Sequence, residues 1–225
     1  MMYDSWVILF SDKGVVYQMN KRCYIVGAGE FCDKVLPVEG DYIIAADGGY
    51  AALESRGIMP DLIVGDFDSL GYVPDHPNVI RSPVEKDDTD MMLSIQQGLE
   101  RGYDDFIING GMGGRIDQTY ANIQLLTYLE EKNASGTIVN NEYHITAIKN
   151  SEIRLSPIDK QNRLISVFCA GNIAKGVSLK GLKYPIENAT ITFENPIGVS
   201  NEFIEDTAVI SVTDGTLIIF WNGKV

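Results

Sequence analysis

Short apolar runs that end in glycine or aspartate recur through the first 140 residues. Residues 23–26 run into Gly27-Ala28-Gly29, residues 41–46 into Asp47-Gly48-Gly49, residues 62–64 into Gly65-Asp66, and residues 105–108 into Asn109-Gly110-Gly111. Residues 78–81 and 136–139 have the same strand-like character. Between these runs lie stretches of helical period. One helix fits residues 50–56, with Gly57 as its stop. A second fits residues 89–101, where Met91, Ile95 and Leu99 recur every four positions and Asp87 or Asp88 is placed to cap. A third starts near Asp117 and sets Tyr120, Ile123, Leu126 and Leu129 on its inner side. Alternation of this kind predicts an α/β domain with a mostly parallel sheet flanked by helices. In such sheets ligands bind beyond the carboxyl ends of the strands. Asp47, Asp66 and Gly110 all fall there.

After Asn141 no helix-length period remains. Six β-prone segments follow, at residues 143–148, 164–169, 177–179, 189–193, 208–212 and 217–221, separated by Gly, Pro, Asn and Asp. This predicts an all-β sandwich as the C-terminal part. Residues 6–10 and 15–18 are also β-prone and are joined by Ser11-Asp12-Lys13-Gly14, which reads as a hairpin. The expected organisation is a hairpin extension at 1–21, an α/β catalytic domain at 22–144 and a β-sandwich domain at 145–225.

Composition narrows the function. The chain has 225 residues, 45% of them apolar, and a mean hydropathy near zero (-0.02), as expected for a globular protein with a substantial core. Its net charge of -13 argues against non-specific binding to nucleic acid or to anionic membranes. A polyanionic substrate is still compatible where a divalent cation supplies local positive charge. Cys23, Cys32 and Cys169 form no CxxC pair, so neither a disulfide framework nor a zinc site is indicated, and a cytoplasmic setting is expected. The apolar run at 6–10 is too short to span a bilayer. It follows Asp4 rather than a cationic segment, so no signal peptide is expected.

Three polar motifs carry candidate chemistry. Asp66-Phe67-Asp68-Ser69 ends an apolar strand, and period-two alternation would put both carboxylates on one side, where a cation would neutralise them. Lys86-Asp87-Asp88-Thr89-Asp90 opens a helix with more acid than one cap requires. Asp90 is placed to face a cation, Thr89 to bond a phosphate oxygen, and Lys86 offers a point charge. Gly110-Gly111-Met112-Gly113-Gly114-Arg115-Ile116-Asp117 lets backbone approach a ligand just before a helix N-terminus, with Arg115 as a fork for phosphate. It lacks the endings of a P-loop or a dinucleotide fingerprint. Asp117 reads as the helix N-cap, as a group that orients a ligand, or as both. Gly27-Ala28-Gly29 reads equally as a tight turn or a phosphate contact. His76 and His144 are read as solvated or structural. Mg²⁺ held by these acids beneath a polyphosphate accounts for the set.

The ordered motifs resemble those of the thiamine pyrophosphokinase family. The matching residues are Ala46-Asp47-Gly48-Gly49, residues 60–69, residues 86–90, residues 113–118, Gly181-Leu182-Lys183-Tyr184-Pro185 and Gly198-Val199-Ser200-Asn201. The resemblance covers residues 22–225 and leaves 1–21 as an addition. It implies transfer of the β,γ-diphosphate of ATP to the hydroxyethyl oxygen of thiamine, usually by a homodimer with shared active sites. Asp66, Asp68 and Asp90 would hold Mg²⁺, and with Arg115 and Asp117 would form the catalytic set. Asp47, Gly48, Lys86, Thr89, Gly110, Gly111, Gly113 and Arg115 would contact ATP. Asp117, Tyr184, Ser200 and Asn201 would meet thiamine, Tyr184 from across the subunit boundary. Two rival readings are a pyrophosphokinase for another hydroxymethyl acceptor, such as a pterin, and a nucleotide sensor without turnover. The density of carboxylates speaks against the sensor.

Overall fold

A computed structural model of the chain describes residues 6–11, 14–19, 22–68, 70–82, 87–157 and 163–222. The expected hairpin is present: β1 (Trp6–Ser11) pairs antiparallel with β2 (Gly14–Met19). The α/β part follows as β3 (Arg22–Val26), β4 (Tyr42–Ala46), α1 (Gly49–Glu54), β5 (Leu62–Gly65), β6 (Val79–Arg81), α2 (Asp90–Glu100), β7 (Asp105–Asn109), α3 (Ile116–Glu131) and β8 (Ser135–Val139). The β part comprises β9 (Tyr143–Lys149), β10 (Glu152–Leu155), β11 (Leu164–Cys169), β12 (Ile173–Lys180), β13 (Ile186–Thr192), β14 (Gly198–Glu202), β15 (Ala208–Ser211) and β16 (Thr216–Asn222). Sequence pattern missed β10 and β14. β10 is only four residues long, and β14 is largely polar, so neither forms an apolar run. No helix among the described residues is long and apolar enough to cross a membrane.

One ten-stranded sheet runs through both parts, in the order β14-β11-β16-β9-β8-β7-β3-β4-β5-β6. The six strands from β8 to β6 are parallel, and β9, β16, β11 and β14 continue antiparallel. The strand at the expected domain boundary, β9, therefore pairs with both halves. A second antiparallel sheet, β10-β15-β12-β13, completes the sandwich. The chain order steps outward from β3 to β6, then returns to add β7 on the other side of β3. Such a reversal opens a crevice at the carboxyl ends of the two diverging strands. Here those ends are Gly27 and Gly110.

Alternation along the strands divides the core among three layers. Cys23, Ile25, Ile44, Leu62 and Val64 face α2 and α3, together with Ile95, Leu126 and Leu129. Tyr24, Val26, Ala45 and Ile63 face the other way, against Leu53 of α1 and the segment holding Phe31 and Val35. In the β part, Ile165, Val167, Leu217, Ile219 and Trp221 pack on Val177, Leu179 and Ile210 of the second sheet. Each fully buried Leu, Ile or Phe contributes about 1.5–3 kcal/mol. Met91 and Ile95 lie on the inner face of α2 as expected. Tyr120 does not lie on the inner face of α3: it is 57% exposed at the first turns, while Leu126 and Leu129 are buried further along. A spacing of three drifts around a helix of 3.6 residues per turn, so four such positions cannot share one face.

His144 of β9 is structural and is buried rather than solvated. It is 8% exposed, stands edge-on to Trp221, and its Nε2 has no hydrogen-bond partner among the described residues. Burial lowers its pKa from 6.5 to about 4. The folded state therefore refuses a proton that the unfolded chain accepts. Stability from this group is complete above pH ~6.5 and falls toward pH 4 by about 1.4 kcal/mol per pH unit. In urea titrations between pH 7 and 4.5, the unaltered protein should lose stability faster than His144→Phe. Parallel losses would show that His144 does not enter the fold as the neutral imidazole.

Candidate active site

Three carboxylates meet at the carboxyl edge of the parallel strands. Asp47 follows β4, Asp66 follows β5, and Asp90 is the first residue of α2. One oxygen from each lies within 4.8 Å of the others, the one such acidic trio among the described residues. The local backbone is shaped for this meeting. Asp47 has φ +46°, and its N–H donates to the Val64 carbonyl at 2.7 Å. A side chain on Gly65 would meet the Asp47 Cα at 2.9 Å, so glycine is what lets the two strand ends close. Ser82, which the sequence pattern did not single out, donates its hydroxyl to Asp90 Oδ1 at 3.0 Å and its N–H to the Gly65 carbonyl at 3.0 Å. It holds the third acid against the second strand end.

The structure brings together Asp66 and Asp90 as expected, but their companion is Asp47 rather than Asp68. Strand alternation does not extend to Asp66 and Asp68, because β5 ends at Gly65, before the motif. Phe67 turns into the left-handed region at φ +65° and buries its ring, while Asp66 Oδ1 accepts the Asp68 N–H at 3.0 Å. That is an Asx turn rather than a strand, and Asp68 is exposed. At α2 the cap is Thr89, whose hydroxyl accepts the Met92 N–H at 3.1 Å; Asp87 and Asp88 are not caps. Asp88 instead accepts from Gln96 at 3.4 Å. Gly48 begins α1 at its N-cap position. Lys86 and Ser69 lie outside the described residues.

The glycine loop lies beside this edge at the end of β7. Gly110, Gly113 and Gly114 have φ of +68°, +94° and +69°, which side chains rarely adopt. Its carbonyls are turned into the protein. Asn109, Gly110 and Met112 accept from the N–H groups of Gly27, Gly29 and Glu30 at 2.8, 2.8 and 2.6 Å. Gly111 accepts from the Asn122 carboxamide at 2.8 Å. Among the described residues, the N–H groups from Gly111 to Gly114 donate to no protein atom. Gly27 and Gly29 thus back the loop, and any Cβ there would strike its carbonyls. Asn109 and Asn122 gave no signal in the sequence beyond being polar residues at buried positions.

Arg115 is 72% exposed in its side chain and grips Asp117 through two bonds, Nε to Oδ1 at 3.1 Å and Nη2 to Oδ2 at 2.5 Å. The guanidinium holds the Asp117 carboxyl below the usual carboxylate range, and Arg115 is raised in return. Asp117 is not the N-cap of α3; that position is Arg115, and Asp117 lies inside the first turn. In the β part, Asn201 is 3% exposed. Its carboxamide brackets the backbone of Tyr184, accepting from N–H at 3.0 Å and donating to C=O at 2.8 Å. The Tyr184 ring is left 59% exposed. Ser200 sits nearby at φ +57°, its N–H donating to Ser166 Oγ at 3.1 Å.

Known proteins share this fold. Residues 36–138 match the family description "Thiamin pyrophosphokinase, catalytic domain", and residues 150–217 match "Thiamin pyrophosphokinase, vitamin B1 binding domain". The chain is 31% identical to thiamine pyrophosphokinase of Bacillus subtilis over 182 residues, 78% of this chain and 85% of that protein. It is 26% identical over 194 residues to thiamin pyrophosphokinase 1 of Caenorhabditis elegans, 80% of this chain and 77% of that one. The crystal structure of the Bacillus subtilis enzyme superposes with a TM-score of 0.78 at 28% identity, covering 91% of this chain and all of that one. With both parts matched in order and one relative above 30% identity across most of the chain, the protein belongs to the thiamine pyrophosphokinase family.

Proposed function

We propose that this protein transfers the terminal diphosphate of ATP to the hydroxyl of thiamine, giving thiamine diphosphate and AMP. The observation that carries the reading is the trio of Asp47, Asp66 and Asp90 at the sheet edge. Three oxygens from separate elements within 4.8 Å suit a small, hard divalent cation, with Mg²⁺ as the natural occupant. Bound there, it would offset charge on the bridging phosphate oxygens. The remaining work falls to the chain. Ser82 keeps Asp90 in place. The open N–H groups of the glycine loop meet the polyphosphate beside the α3 N-terminus. Thr89 adds a donor at the α2 end, Lys86 is read from the sequence alone as a further phosphate contact, and Gly48 opens the backbone at α1. Arg115 moves from Asp117 to phosphate at little cost, because an exposed ion pair is weakly held. Asp117 keeps the guanidinium oriented until phosphate binds, and Asp68 stands exposed at its turn.

The acceptor reading rests on the vitamin B1 binding match at 150–217, which disfavours a pterin. Tyr184, presented by Asn201 and flanked by Ser200, offers a π face to the cationic thiazolium. Its exposure, with that of Phe193, Ile197 and Val199, supports a homodimer in which each Tyr184 completes the partner's site. The three buried free cysteines accord with a cytoplasmic protein.

The test is incubation with ATP, Mg²⁺ and thiamine. AMP and thiamine diphosphate should form in equal amounts; ADP in place of AMP, or ATP binding without turnover, would contradict the reading. In the same assay, inactive Tyr184→Ala and Asp66→Asn proteins should regain activity when mixed and allowed to exchange subunits. No recovery would argue against shared sites.

The trio makes a separate prediction for metal removal. In metal-free buffer Asp66→Asn should melt at or above the temperature of the unaltered protein, because one of three repelling charges is gone. Added Mg²⁺ should raise the melting temperature of the unaltered protein but not of the variant. An equal rise in both would take Asp66 out of the cation site.

A further inference from the structure

Asn109 is the last residue of β7 and is fully buried. A carboxamide in such a place loses its water, and an apolar side chain of similar size would avoid that cost. Its polar atoms are all engaged across the crevice. Oδ1 accepts the Cys32 N–H at 2.8 Å. Nδ2 faces the Tyr24 hydroxyl at 2.6 Å, the Cys32 carbonyl at 3.0 Å and the Val35 carbonyl at 3.1 Å. Tyr24 in turn donates to the Val35 carbonyl. Burial raises the Tyr24 pKa to about 12, so this hydroxyl remains a donor.

The partners are placed to matter for the neighbouring loop. Residues 32–35 continue directly from Gly27, Gly29 and Glu30, whose relations with the glycine loop fix three of its carbonyls. A peptide unit is planar, so turning its carbonyl inward turns the following N–H outward. The orientation of the Gly111–Gly114 donors thus depends on where the 27–35 segment sits. That segment has no regular secondary structure, and one carboxamide ties its far end to the strand from which the loop departs.

We propose that Asn109 is a positioning residue for polyphosphate: by holding residues 32–35 against the end of β7, it sets the glycine loop's N–H groups toward the phosphates. This rests on the reading of the glycine loop as the phosphate cradle. Asn109 touches no substrate and acts only through the loop. A catalytic loop displaced by a fraction of an ångström loses much of its effect while the protein remains folded.

The experiment measures binding of inorganic tripolyphosphate with Mg²⁺ by calorimetry, and steady-state KM for ATP and for thiamine, in Asn109→Ala. Val177→Ala, buried in the distant sandwich core, serves as a control for simple destabilisation. Asn109→Ala should weaken tripolyphosphate binding and raise KM for ATP by on the order of tenfold, while KM for thiamine changes less than about twofold. Val177→Ala should lower the melting temperature without moving KM for ATP. If Asn109→Ala does not fold, Tyr24→Phe removes only the hydroxyl between Asn109 and Val35, and should give a smaller rise confined to KM for ATP. Unchanged tripolyphosphate binding in a folded Asn109→Ala, equal rises in both KM values, or no effect of Tyr24→Phe would each overturn the proposal. Failure of the unaltered protein to bind tripolyphosphate would remove the phosphate-loop reading as well, which separates the two failures.

Discussion

Three negative charges forced together are the constraint on which the site depends. Like charges whose oxygens lie within 4.8 Å of one another repel. No folding element gains from that contact directly. It persists because β4, β5 and α2 are each fixed by their own burial, with Ile44, Val64, Met91 and Ile95 packed in one core layer. The apolar core therefore holds the acids in place, and a bound cation would turn a local cost into affinity. The same logic explains the residues around the trio. Gly65 admits Asp47, Ser82 restrains Asp90, and Phe67 buries its ring to turn the chain at a strained φ.

The glycine loop solves the complementary problem. A loop that is to bind phosphate needs outward N–H groups and no competing acceptors. Here the competing acceptors are its own carbonyls, and they are consumed by Gly27, Gly29, Glu30 and Asn122. The two faces of the crevice thus do opposite electrostatic work. One edge offers carboxylates for a cation, and the other offers donors for an anion. They lie at the carboxyl ends of parallel strands on either side of β3, with β4 and β5 on one side and β7 on the other, because the chain reverses its direction of growth between β3 and β7.

Much of this was legible in the sequence. The alternation of apolar runs with helical periods gave the parallel half, and Met91 and Ile95 marked the buried face of α2 correctly. Asp66, Asp90 and the glycine loop were identifiable because strand ends in such sheets collect polar motifs. The misassignments have physical causes. Strand alternation stops applying at Gly65 and so does not describe Asp68. Tyr120 was placed by a period that does not match the helix. Thr89 displaced two aspartates as cap because only its hydroxyl lies three residues before a free N–H in the right backbone conformation. Asn109, Asn122 and Ser82 were invisible because their roles depend on segments far away in sequence: 77 residues separate Asn109 from Cys32. Continuity of the sheet through β9 was likewise a matter of strand pairing, which composition does not encode.

The account stands on the identity of the cation's ligands. The most direct measurement is anomalous diffraction from crystals grown with Mn²⁺, which accepts the same hard oxygen ligands as Mg²⁺. The account predicts one strong peak at roughly 2.0–2.3 Å from carboxylate oxygens of Asp47, Asp66 and Asp90. A peak coordinated by Asp68 without Asp47, or no peak at this edge of the sheet, would contradict it.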